Sequence, residues 1–165
     1  MIEPKWLIEA RKYIGTREIP GAKNNPVIIS WAVYLGGWFK AFYTHDSIAW
    51  CGRAMGALMK HAGFPPPGAL LSAAGWASWG SALAKPSLGA IMVFTRPGGA
   101  HVALYVGERK DAYRVIGGNQ GDAVSEMWIK KDRLTAIRWP KGAPVPVGGP
   151  VLLADGGEPV SVNEA

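Results

Sequence analysis

The hydrophobic period of the chain changes once, at Pro86, and this change constrains the fold more than any other feature. Before it, apolar residues recur at helical spacing. Trp6, Leu7, Ala10 and Ile14 share a face between Pro4, suited to a first helical turn, and Gly15, a stop. Asn24-Asn25-Pro26 reads as a cap and start for a second helix, which carries Val27, Ile28, Trp31 and Leu35 to Gly36-Gly37. A third helix begins between Asp46 and Cys51. Its stripe is Cys51, Ala54, Met55, Leu58, Met59 and Ala62, and Gly63 with Pro65-Pro66-Pro67 ends it. A short helix is expected around Trp76 and Trp79. After Pro86 the pattern is that of strands. Residues 89–94 and 101–107 form a hairpin about Arg96-Pro97-Gly98-Gly99, and further strands are expected at 112–117, 124–129 and 135–139. Helices first and antiparallel strands second predict a single α+β domain over residues 1–140.

Composition excludes several alternatives. A chain of 165 residues can bury a sizeable core in one domain without staples. No apolar run approaches the roughly 20 residues of a membrane span, so no stable membrane insertion is expected. Residues 1–11 are amphipathic and charged, without the apolar core of a signal peptide. A single cysteine excludes an internal disulfide and a Cys-rich zinc site. Abundant glycine (22) and tryptophan (8) suggest loops and aromatic walls, most of the tryptophans serving the core.

Charge is unevenly divided. Residues 1–140 carry 17 basic and 9 acidic side chains, a net of +8, while residues 141–165 are net −2. A basic body suits an anionic partner. The longest basic run is Lys130-Lys131, and no nucleic-acid motif accompanies it, so nucleic acid is not the expected partner. The Pro/Gly-rich tail has linker composition, yet it opposes the body in charge. It is expected to dock through Val151-Leu152-Leu153, with Asp155, Glu158 and Glu164 meeting basic side chains. Exposed pairs are weak, so such docking would loosen as salt rises. A passive tail is the alternative.

Nucleophilic chemistry at Cys51 needs a thiolate, a base beside it and a group that orients the base. At a helix N-terminus the dipole and unpaired N–H groups favour the thiolate and can receive an oxyanion. A lone cysteine on an apolar stripe is otherwise an inert core residue. Of the three histidines, His61 lies ten residues on, about 15 Å along the same helix, and is too distant. His45 reads as a loop or cap-region residue. His101 opens a strand after a Gly-rich turn and shares a face with Ala103 and Tyr105, which suits a cleft wall. Gly117-Gly118-Asn119-Gln120-Gly121 ends the next strand, where an amide can hold one imidazole nitrogen and present the other to sulfur. Gly118-Asn119-Gln120-Gly121-Asp122 is also a good turn sequence.

Asp46-Ser47-Ile48-Ala49-Trp50-Cys51, the run 99–107 from Gly99-Ala100-His101 to Val106-Gly107, and Gly117-Gly118-Asn119-Gln120 together resemble the motifs of CHAP and NlpC/P60 papain-like peptidoglycan hydrolases. The resemblance is closest to the small group found in phage lysins and related bacterial proteins. It takes in Glu18-Ile19-Pro20-Gly21, Asn24-Asn25-Pro26 and Arg138-Trp139-Pro140, and so spans about residues 5–140. It implies a papain-like fold, with a half-barrel antiparallel sheet packed on the cysteine helix. It also implies a Cys51 nucleophile, a His101 base and Asn119 as the polar third residue. The expected activity is cleavage of an amide bond in bacterial peptidoglycan, by an amidase or endopeptidase needing no metal or organic cofactor. Trp50 and Gln120 are the expected substrate contacts, with Trp76 and Trp79 as further groove candidates. The sequence departs from the family pattern at Gly52-Arg53-Ala54-Met55 and at Ala90, and it has no glutamine upstream of the cysteine. No Asp-rich calcium loop is visible.

With no signal peptide, a monomeric enzyme made in the cytoplasm would reach the periplasm or wall by holin-assisted release. Dedicated secretion as an antibacterial effector amidase, with an immunity protein as partner, is the other route. Two alternatives stay open: a non-catalytic wall- or nucleic-acid-binding module with a structural Cys51, and the same fold acting on a different amide.

Overall fold

The chain forms an α+β fold in which the helices precede Pro86 and every strand but the two-residue β1 (Ser81–Ala82) follows it. The computed structural model describes residues 2–42, 44, 45, 49–68, 72–154 and 160–164. Helices α1 (Lys5–Lys12), α2 (Pro26–Leu35), α3 (Gly37–Phe42) and α4 (Cys51–His61) come first, followed by a 3₁₀ turn at Ala73–Ser78. Strands β1 (Ser81–Ala82), β2 (Ile91–Arg96), β3 (Gly99–Glu108), β4 (Ala112–Gly117), β5 (Ser125–Lys130), β6 (Leu134–Trp139) and β7 (Val160–Ser161) form one sheet in the order β1-β6-β2-β3-β4-β5-β7. Every pairing is antiparallel except β5 with β7, which is parallel. No helix among the described residues is long and apolar enough to cross a membrane.

Local signals place the helices. The Asn25 side chain accepts from the Val27 N–H at 2.9 Å and Pro26 fills the first turn, so α2 starts where the sequence requires. Arg11 and Lys12 close α1, complementing its dipole. Trp6 ties this helix to the sheet: its Nε1 donates to the Gly89 carbonyl at 2.8 Å, and its ring meets Trp139 edge-on at 5.1 Å.

Helix α4 is more deeply set than its stripe predicts. Cys51, Ala54, Met55 and Met59 are buried as expected, but so are Gly52, Arg53, Gly56 and Ala57. The reason is its position, with α1, α2, the 3₁₀ turn, β3 and β4 all packing against it. A single apolar stripe describes a helix at a surface, whereas this one is walled on several sides by neighbours that its small residues admit. Asp46, Ser47 and Ile48 of the cysteine motif lie outside the described residues.

Two expectations about the sheet need correction. Strand β3 opens at Gly99 rather than at His101, and from His101 to Glu108 both of its faces are buried. The face holding His101, Ala103 and Tyr105 is therefore an interior surface and not an open cleft wall. The tail, expected to read as a linker, contributes strand structure. Val151 and Leu153 exchange backbone hydrogen bonds with Glu108 at 2.8 Å each, and β7 pairs with Trp128 and Ile129 of β5. The apolar anchor holds in part: Val151 packs against the core, while Leu152 is exposed. Backbone pairing does the rest, helped by Leu153 seating over Gly107, where an added Cβ would lie 2.3 Å from the leucine side chain. Asp155 and Glu158 lie outside the described residues.

Candidate active site

Cys51 is the first residue of α4, and His101 is the third residue of β3, facing it. The thiol and the imidazole are close enough to perturb one another's charge, although no hydrogen bond joins them. Nδ1 of His101 is buried and makes no hydrogen bond, so the pair is poised rather than closed, as is common before substrate binds. Burial pushes the Cys51 thiol up, but the imidazole and the backbone of Val102 and Gly52 outweigh it and hold the thiol below its ordinary value. Burial pushes His101 down, yet Cys51, then Gln120, then Glu164 carry it above the ordinary histidine value. Each partner favours the charged form of the other, which is the electrostatics of a thiolate–imidazolium pair.

The third residue differs from the expectation. Gln120, not Asn119, reaches the imidazole: its Oε1 lies 2.8 Å from His101 Nε2. The orientation of this amide is fixed by its other end, where Nε2 donates to the Ser125 carbonyl at 2.6 Å. A carbonyl can only accept, so the Gln120 oxygen must face the histidine, and His101 Nε2 must carry the proton. That tautomer leaves Nδ1 as the basic nitrogen for the thiol. Asn119 points elsewhere, its Nδ2 donating to the Glu164 backbone carbonyl at 2.9 Å. It adopts φ 61, the left-handed region, and this reversal between Gly118 and Gln120 turns neighbouring side chains in different directions. Gln120, expected as a substrate contact, is 1% exposed and committed to His101 and Ser125.

Trp50 is also corrected. It is wholly buried, its Nε1 donates to Glu18 Oε1 at 2.7 Å, and its ring lies against Trp31, so it supports the site from within and does not line a groove. Its ring sets the approach of the 117–121 turn. A Cβ on Gly118 would lie 2.7 Å from two Trp50 ring carbons and 3.1 Å from Ala54 Cβ, so only glycine lets this turn close on α4. Trp76 is buried too, and Trp79 packs on it edge-on at 5.0 Å while donating to the Pro65 carbonyl.

Cys51 keeps a narrow outlet. It lines a small, mostly apolar recess together with Tyr13, Trp31, Met55, Leu58 and Val124. Tyr13, Trp31 and Leu58 also line a wider groove that continues to Glu9, Tyr34 and His61. His61 is exposed and 3.7 Å from Glu9, and His45 is exposed beside Thr44, so neither approaches the thiol pair. Among the described residues no group of His, Cys, Asp and Glu could hold a metal ion. Sequence reasoning named Glu164 only as a tail charge meeting a basic side chain, which it does at Arg133; it missed that this pair stands behind the site, for which the opposite charge of tail and body was the one available signal.

No family model, curated protein or solved structure matches the chain.

Proposed function

We propose that this protein is a cysteine hydrolase of the papain-like type that cleaves an amide bond in bacterial peptidoglycan, as an amidase or endopeptidase. The observation that carries the reading is the relay from Gln120 through His101 to Cys51 at the start of α4. Cys51 attacks the scissile carbonyl, and its proton passes to His101 Nδ1. First-turn N–H groups of α4 receive the developing oxyanion. The tetrahedral intermediate collapses as the imidazolium protonates the leaving amine, giving a thioester. Water, deprotonated by His101, then releases the acid and regenerates the thiol. Gln120 holds the ring throughout.

The choice of peptidoglycan rests on the motif resemblance and on the +8 body, which suits an anionic envelope. Mass spectrometry of purified peptidoglycan after digestion tests the reading: new amine and carboxyl termini at one bond support it. Intact muropeptides with wild-type protein, alongside a reactive Cys51, would move the activity to a different amide. An inert thiol would leave a binding module.

A further inference from the structure

The C-terminal segment ends against the back of this relay. Glu164 is fully buried, and its carboxylate pairs with Arg133, with Nη1 3.0 Å from Oε2 and Nη2 on Oε1. Ser161 Oγ donates to Oε2 at 2.5 Å. Arg133 is itself fixed by the Thr95 carbonyl at 2.9 Å and the Ser161 carbonyl at 3.0 Å. The backbone carbonyl of Glu164 receives the Asn119 amide, one residue from Gln120. Burying a carboxylate is costly unless it is paired and hydrogen-bonded, and here every requirement is met by groups adjoining the relay.

We propose that Glu164 is a positioning residue for His101, fixing the turn that carries Gln120 through Asn119 and supporting the imidazolium with its buried charge. This rests on the hydrolase reading above. No described residue of the C-terminal segment lines the pocket at Cys51, so the segment backs the histidine and does not plug the nucleophile. The groups acting on His101 are Cys51 from α4, Gln120 from the turn after β4 and Glu164 from the tail. Arg133 faces Glu164 and damps its field, and Arg53 is a second buried cation, on α4. Burial pushes the Glu164 carboxyl up, but Arg133, Ser161 and His101 hold it below its ordinary value, so it is charged over the range in which the imidazole takes up its proton.

The test is the rate of Cys51 alkylation by iodoacetamide from about pH 4 to pH 10, which needs no peptidoglycan. Glu164→Gln keeps the shape and removes the charge. Its alkaline limb, where the imidazolium is lost, should move to lower pH by roughly half a unit to one unit, about 3- to 10-fold in the proton equilibrium. Glu164→Asp should restore most of the wild-type profile. A folded Glu164→Gln whose profile superimposes on wild type overturns the proposal, as does a more reactive thiol, which would mark the segment as a restraint. If Glu164→Gln does not fold, the His101 ring resonances of the intact protein decide. They should show an acid inflection that survives in Cys51→Ser, where no thiol can titrate, as Glu164 protonates, and its absence there overturns the proposal. A shifted profile without peptidoglycan cleavage sinks the substrate alone. Cleavage with an unshifted profile sinks this inference alone.

Discussion

Gln120 Oε1 sits 2.8 Å from His101 Nε2 while the far end of the same amide is pinned to the Ser125 carbonyl. This pair sets the tautomer of the base, so its loss should be felt in chemistry more than in binding. Gln120→Ala is expected to lower kcat on the order of 10²-fold with little change in KM. Asn119→Ala should cost less, since Asn119 reaches the relay only through Glu164 and the turn. Steady-state kinetics on a soluble muropeptide amide decide; equal losses would argue that the turn, not the amide, is what His101 needs.

The thiol and the imidazole perturb one another in opposite directions, and the signs give a window. The lowered thiol keeps its negative charge until pH falls through its folded value, and the raised imidazole keeps its positive charge until pH rises through its own. Activity should therefore be bell-shaped. In His101→Ala only burial and two backbone contacts remain at the thiol, so alkylation should require pH above the ordinary thiol value of about 8.5. A wild-type thiol that is unreactive at neutral pH contradicts the ion pair.

Trp50 and Tyr13 should behave differently. Trp50→Phe removes the hydrogen bond to Glu18 and is expected to cost about 1.5–3 kcal/mol of stability with KM unchanged. Tyr13→Ala alters the pocket beside Cys51 and should raise KM. Thermal melts and kinetics on both variants separate the roles, and a KM effect confined to Trp50→Phe would reverse them.

The close approach of the 117–121 turn to α4 makes Gly118→Ala a packing lesion, about 1–3 kcal/mol by urea denaturation. Gly68→Ala, where an added Cβ meets nothing within 4 Å, should change stability by less than about 0.5 kcal/mol. Comparable losses at both positions would deny that the turn is held by contact with Trp50.

Docking of the tail should respond to acid and hardly to salt, the reverse of what its exposed-looking charges suggest. The Glu164 side chain is wholly buried and Arg133 is 15% exposed, so screening reaches the pair poorly. With the carboxyl lowered in the folded state, its stabilisation is present above the ordinary carboxylate range and lost as pH falls through the lowered value. Hydrogen exchange at Val160 and Ser161, followed against salt and against pH, measures both.

Much of the layout is legible in the sequence because periodicity and punctuation act locally. Asn25-Pro26, the α4 stripe and the alternation around β3 and β4 place their elements within a residue or two. The choice between Asn119 and Gln120 is not legible. It depends on a left-handed residue inside a turn, and adjacent amides have equal chemistry until φ is known. The burial of Trp50 and Arg53 is likewise a tertiary fact, set by how many neighbours surround α4. The fate of the tail escaped composition because only a few of its residues make the contacts that matter, among them Val151, Leu153, Ser161 and Glu164.

The parallel pairing of β7 has a consequence for self-association. Strand β5 flanks the rest of the sheet, and the backbone groups on its outer side would present a ready template for another chain. By lying along Trp128 and Ile129, Val160 and Ser161 occupy that template with the chain's own backbone. A molecule that has released its C-terminal segment offers an adhesive strand to its neighbours, so a stripped protein should accumulate as aggregates.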